Sequence, residues 1–259
     1  MVIVITGATS GIGEKCAELF LKEGHTVYSL ARRTKDNKGI NYIECDLSNR
    51  ESIETAVREI TSKENRIDIL INNAGMGISG AFEYHEDEEI KQLIDVNLLG
   101  LLRVTKLLIP YFRESKGTII NISSVAGIIS IPFQGMYSLS KSAVISFTES
   151  LRNELRPFNV KVSAVLPGDP KTGFTEARRK SKDNNEYGNR INRSVEKMEK
   201  DERNGADPTK VAKVILKVSK KKNPNTYYIV GFSYKLLAFL QRILPKRLVN
   251  YIVYKIYAK

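Results

Sequence analysis

Thr6-Gly7-Ala8-Thr9-Ser10-Gly11-Ile12-Gly13 is the stretch on which the fold turns. It follows Val2-Ile3-Val4-Ile5, an apolar run with the length and branching of a buried strand. It precedes Ile12, Cys16, Leu19 and Phe20, which recur at helical spacing until Gly24 can stop the helix. A strand, a glycine-rich turn and a helix in that order make a phosphate-binding device. Gly7 permits the sharp turn, Gly11 lets backbone approach a pyrophosphate, and Gly13 lets the helix pack close to the strand. The helix N-terminus then offers free N–H groups and positive dipole charge.

Working outward, Thr26 to Leu30, Asn41 to Glu44, Ile67 to Ile71, Thr118 to Ile122, Val160 to Val165 and Thr226 to Val230 read as further strands. Between them, Glu89 to Ser115 reads as one long helix and Met136 to Leu155 as another. Asp207 is a suitable N-cap for a helix with Pro208 at its first position and Val211, Val214, Ile215 and Val218 on one face. Short apolar strands alternating with helices predict an α/β fold with parallel strands and helices on both faces. Residues 171–206 are polar and read as a substrate-side insertion, a poor contributor to the core, with one helical stripe at Ile191, Val195 and Met198.

Composition narrows the class. With 259 residues, 42% hydrophobic and 27% charged, the chain has enough apolar material for a large core, and disorder is excluded. No apolar run is long enough to span a bilayer, and the immediate strand leaves no room for a signal peptide. Cys16 and Cys45 form no disulfide framework, so the cytoplasm is the expected compartment. His25 and His85 are too few for a zinc centre, and no metal is expected. The net charge of +12 is unevenly placed: residues 1–170 hold 19 Lys and Arg against 21 Asp and Glu, whereas residues 171–259 hold 22 against 8. Such asymmetry points to an anionic partner.

The glycine spacing, TGxxxGIG, resembles the short-chain dehydrogenase/reductase family. Four later motifs share the resemblance: Asn72-Asn73-Ala74-Gly75, Ser123-Ser124, Tyr137-Ser-Leu-Ser-Lys141 and Pro167-Gly168, with Asn97 in the intervening helix. It covers nearly everything to Thr172, and residues 207–231 more loosely. The resemblance implies a Rossmann-like, doubly wound parallel sheet of about seven strands, with a nicotinamide cofactor across the C-terminal strand ends. It implies one catalytic domain, residues 1–231, and often a homo-oligomer.

At the end of the second strand, where dinucleotide folds place an acidic residue against the ribose 2′-OH, stands Ala31, followed by Arg32 and Arg33. Arginines suit a 2′-phosphate, so NADP(H) is expected over NAD(H). The resemblance adds Asp46 and Leu47 near the adenine and Asn73, Ala74 and Gly75 along the ribose. Thr6, Gly7, Ser10, Gly11, Ile12 and Gly13 form the phosphate loop. Pro167, Gly168 and Thr172 belong to the nicotinamide side.

Tyr137 and Lys141, four residues apart, share a helix face. A neighbouring ammonium is expected to lower the phenol pKa toward working range. The resemblance implies that Tyr137 exchanges the proton of a carbonyl/alcohol pair. It gives Lys141 the ribose, Ser124 the substrate oxygen, and Asn97 a water relay behind Lys141. The family pattern is broken at Pro170, which has no N–H to offer the carboxamide; Thr172 is the expected replacement.

Residues 232–259 mix six aromatics with six basic residues and predict two amphipathic helices hinged at Pro245. They suit an anionic membrane surface, or a helix pair packed on the core or on a second subunit; both readings stand. Nucleic acid is not an expected partner. This tail is similar to those of members acting on steroids, retinoids and other lipophilic carbonyls. The expected function is therefore carbonyl–alcohol interconversion on a lipophilic substrate, peripheral to the membrane. The alternatives are a 3-oxoacyl thioester reductase and a dinucleotide-sensing protein without catalysis.

Overall fold

The structure is a computed structural model that describes residues 1–35, 39–182 and 186–259. The first 72 residues supply four strands and two helices: β1 (Val2–Thr6), α1 (Gly11–Lys22), β2 (Thr26–Ala31), β3 (Ile40–Glu44), α2 (Arg50–Lys63) and β4 (Ile69–Asn72). Next come β5 (Ile78–Ser79), α3 (Asp87–Ile94), α4 (Leu101–Ser115), β6 (Thr118–Ile122), α5 (Gly135–Glu154) and β7 (Lys161–Pro167). The chain ends with α6 (Phe174–Ala177), β8 (Arg179–Lys180), α7 (Arg190–Arg203), α8 (Pro208–Ser219), β9 (Tyr227–Val230), α9 (Phe232–Ile243) and α10 (Lys246–Tyr257).

Seven strands form one parallel sheet in the order β3-β2-β1-β4-β6-β7-β9. Strand pairing leaves β1 in one direction toward β2 and in the other toward β4, with Val4 opposite Tyr28 on one side and Leu70 on the other. The C-terminal ends of β1 and β4 are thus the switch point of a doubly wound sheet, where ligands bind in such folds. Strand alternation sorts the core. Val4, Leu30, Leu70, Ile119 and Val162 face α2, α4 and α5, whereas Ile3, Ile5, Val27, Ile71 and Val165 face α1 and α8. Asp207 caps α8 as expected, its carboxylate accepting the Thr209 N–H at 2.6 Å.

Two expectations need correction. The long helix predicted over 89–115 begins at Asp87 and is interrupted by a π-helical stretch at Asp95–Gly100, which lies between α3 and α4. Periodicity cannot show a single widened turn, because the apolar stripe continues through it. The predicted insertion, of which 183–185 lie outside the described residues, does bury side chains. Ile191, Val195 and Met198 of α7 cluster with Ala81, and Tyr257 of α10 packs against them. The stripe read from the sequence is the buried face; the core it joins is a separate, smaller one.

Candidate active site

The phosphate loop takes the shape its glycines permit. Gly7 and Gly11 have φ of +73° and +58°, a region costly for side chains. A Cβ on Gly13 would fall 2.3 Å from the carbonyl oxygen of Gly7, so helix and loop could not meet. Thr6 Oγ1 accepts the N–H groups of Asn73 and Ala74 at 2.9 and 3.0 Å. The Asn73 amide donates to the Thr6 and Gly7 carbonyls, both at 3.0 Å. These bonds lock the loop after β4 to the loop after β1. Ser10 begins α1 without capping it through its side chain, so the first-turn N–H groups face the crevice.

One cavity of about 860 Å³ is lined by Gly7, Ser10, Gly11, Ile12, Arg32, Arg33, Asp46, Leu47, Asn73, Ala74 and Gly75. Ser124, Tyr137, Lys141, Pro167, Gly168 and Thr172 line the same space. Three expected site residues stand behind the wall. Thr6 and Gly13 hold the loop as described. Asn97, in the π-helical stretch and 1% exposed, grips the Met76 backbone: it accepts from Met76 N at 2.8 Å and donates to Met76 O at 2.9 Å. Its amide also reaches Ser140 Oγ at 3.2 Å.

Ser124 follows β6 in extended conformation, and its Oγ accepts the Ala126 N–H at 3.1 Å, leaving the hydroxyl hydrogen to donate. The neighbouring Ser123 donates its hydroxyl to Lys141 O at 2.7 Å. Lys141 Nζ donates to Ile122 O at 2.9 Å and lies 5.7 Å from the Tyr137 ring. The expected lowering of the phenol does not appear. Burial pushes Tyr137 up to about 12, only partly offset by its bond with Ser124, and pushes Lys141 down to about 8. Desolvation disfavours both charged forms and is the largest cause for each. Tyr137 keeps some accessible surface, which faces the cavity.

Asp46 is drawn below the usual carboxylate range: burial opposes this, but two hydrogen bonds from Ser48 and the charge of Arg32 prevail. Lys35 also leans over the loop, reaching Thr9 O at 3.3 Å. Thr172 sits against Gly11, its Cγ2 3.1 Å from where a Cβ would be, and so covers the phosphate loop. Pro170 bridges to Ala206, with Lys171 N donating to Ala206 O at 2.9 Å.

Sequence reasoning missed the far wall. Phe174, Glu202, Tyr234, Leu240, Val253 and Ile256 line the cavity from α6, α7, α9 and α10. Tyr234 covers Gly168 and hydrogen-bonds Asp169. No motif marks these positions; only the expected apolar stripes of the tail gave a signal.

The short chain dehydrogenase family profile matches residues 1–183. The chain belongs to the short-chain dehydrogenase/reductase family. It is 40% identical to a 3-ketodihydrosphingosine reductase of Bacteroides thetaiotaomicron, over 99% of this chain and 98% of that one. A short-chain dehydrogenase from Streptomyces avermitilis superposes with a TM-score of 0.86 at 28% identity, covering 98% of this chain and 95% of that one. A 3-ketoacyl-(acyl-carrier-protein) reductase from Brucella melitensis, complexed with NADH, has a TM-score of 0.74 at 26% identity, covering 88% and 96%. This family member is an oxidoreductase of a nicotinamide-binding fold, and the fold by itself does not select between the two nicotinamide dinucleotides.

Proposed function

We propose that the chain is an NADP(H)-dependent reductase of long-chain, lipophilic ketones, reversible to the alcohol, with Tyr137 as acid and base. The observation that carries this reading is the continuity of one cavity from Arg32 and the phosphate loop, past Ser124, Tyr137 and Lys141, to the apolar side chains of α9 and α10. The residues fit the dinucleotide. Gly7 and Gly11 leave backbone bare for a pyrophosphate, α1 offers uncapped N–H groups, and Arg32 and Arg33 stand exposed at the end of β2. Bound there, the nicotinamide supplies or accepts the hydride. The protein's own groups do the rest. Ser124 donates to the substrate oxygen, and Tyr137 gives it a proton as negative charge develops. Lys141, held by Ile122 O, keeps a cationic amine beside the phenol below about pH 8.

The substrate class follows from the wall. An apolar lining from α9 and α10 suits an alkyl chain, as does the likeness to a 3-ketodihydrosphingosine reductase. The outer face of the same helices supports a place at an anionic membrane surface. Of the fifteen exposed large hydrophobics among the described residues, seven lie on these helices without lining the cavity (Phe232, Leu236, Phe239, Ile243, Leu248, Tyr251 and Tyr254), interspersed with exposed Lys235, Arg242, Lys246, Arg247, Lys255 and Lys259. No described helix is long and apolar enough to cross a membrane. The test follows nicotinamide absorbance with 3-ketodihydrosphingosine and with an acetoacetyl thioester, each with NADPH and NADH. Turnover of the long-chain ketone with NADPH is expected; turnover of the thioester alone would replace this reading with that of a 3-oxoacyl reductase.

A further inference from the structure

Near Tyr137 lies a charge pair that the mechanism above leaves unused, its arginine buried and its carboxylate half-buried at the cavity wall. Arg178 follows α6, and its side chain is 1% exposed. Its Nη2 donates to a Glu202 carboxylate oxygen, while the other oxygen accepts the Thr175 hydroxyl at 2.7 Å. Nε and Nη1 of the guanidinium are buried with no hydrogen-bond partner among the described residues. Most buried arginines spend their donors fully; this one keeps part of its charge unspent.

The pair is coupled to the phenol by contact. The guanidinium carbon lies 5.6 Å from the centre of the Phe174 ring, and the Phe174 ring lies 5.5 Å from that of Tyr137. The stack needs bare backbone at Gly77: a Cβ there would sit 2.9 Å from Phe174 Cζ and 3.5 Å from Arg178 Nε. Pairing of β5 with β8 fixes the segment, and Arg179 N donates to Gly77 O at 3.0 Å.

We propose that Arg178 and Glu202 are positioning residues for Tyr137: Phe174 holds the ring in place, and the balance of the two charges sets how readily the phenol releases its proton. This rests on the reading of Tyr137 as the group that carries the proton. With the Arg178 side chain 1% exposed and that of Glu202 12% exposed, water only partly screens the two charges from the phenol. Arg178 favours the phenolate and Glu202 opposes it. The other groups around the phenol are Lys141 on its own helix, Ser124 after β6, Asp169 after β7 with its partner Tyr234 of α9, and Asp201 beside Glu202. Glu199 of α7 also faces Arg178.

The test places 3,5-difluorotyrosine at position 137 of the full-length chain and follows its titration by ¹⁹F NMR, which needs no turnover. Glu202→Gln keeps the partners of Arg178 and removes the negative charge, so the midpoint is expected to fall. Arg178→Met leaves Glu202 unbalanced, so the midpoint is expected to rise. Each shift is expected to reach about one pH unit. Arg178→Lys retains the charge and should stay near the parent midpoint. If Arg178→Met fails to fold, the other two variants still decide. Superimposable titrations, or shifts of the same sign for Glu202→Gln and Arg178→Met, overturn the proposal. Turnover that survives Tyr137→Phe would instead overturn the reading of Tyr137, while the titration would still judge the charge pair.

Discussion

At the residue scale, burial is the dominant force on the two groups expected to handle the proton. Lys141 is held down to about 8 and Tyr137 up to about 12, both through loss of water. The stability consequence has a definite sign. Between about pH 8 and the ordinary lysine range, the unfolded chain binds a proton that folded Lys141 has released, so stability rises with pH there. Below pH 8 the full cost of burying the ammonium is present. Lys141→Met is therefore expected to melt higher than the parent at pH 7, by at most about 3 kcal/mol, with the gain fading toward pH 10. Thermal melts across that range check this, and turnover should vanish in the same variant. Tyr137→Phe is expected to reduce turnover by about 10³-fold while nucleotide binding persists. Arg32→Ala should raise the KM for NADPH by about tenfold or more and leave that for NADH unchanged. The positions that line this cavity were legible because their motifs follow β1, β4, β6 and β7 or share one face of α5; the direction of the Tyr137 shift was not, because elements that share the cavity with it, Phe174 of α6 in contact with its ring among them, come far along the chain.

At the scale of elements, the β1–loop–α1 unit is the most constrained part of the site. A Cβ on Gly13 would meet the Gly7 carbonyl at 2.3 Å and the Asn73 amide nitrogen, itself held by the loop, at 2.5 Å, so Gly13→Ala forces loop and helix apart. A loss of about 2 kcal/mol in stability and weaker nucleotide binding are expected, checked by denaturant unfolding and by titration with NADPH. Strands were readable from short apolar runs, since parallel strands are buried on both faces. The π-helical stretch was not, and it has a use. It carries Asn97 to the Met76 backbone, bracing the loop that follows β4. A buried polar chain was equally hidden. Asn72 donates to Thr105 and Asn121, and Asn121 to Thr148, pinning β4 and β6 to α4 and α5. Such contacts join residues far apart in sequence and leave no local pattern.

At the scale of the whole molecule, the chain joins a nucleotide crevice at the sheet's switch point to an apolar chamber closed by its own C-terminal helices. Val249 is buried, and Tyr257 packs on the α7 cluster, so the tail is a wall as well as a surface. The sequence left packing and membrane contact as rivals; the structure shows the packing, and the exposed face is the one proposed for the membrane. The most direct test of the account compares kcat/KM for a series of straight-chain ketones of increasing length, with NADPH, on the full chain. The account predicts a rise of about two- to fourfold per added methylene until the chamber fills. A specificity that stays flat with chain length, or that falls, would contradict the tail-walled chamber as the substrate site.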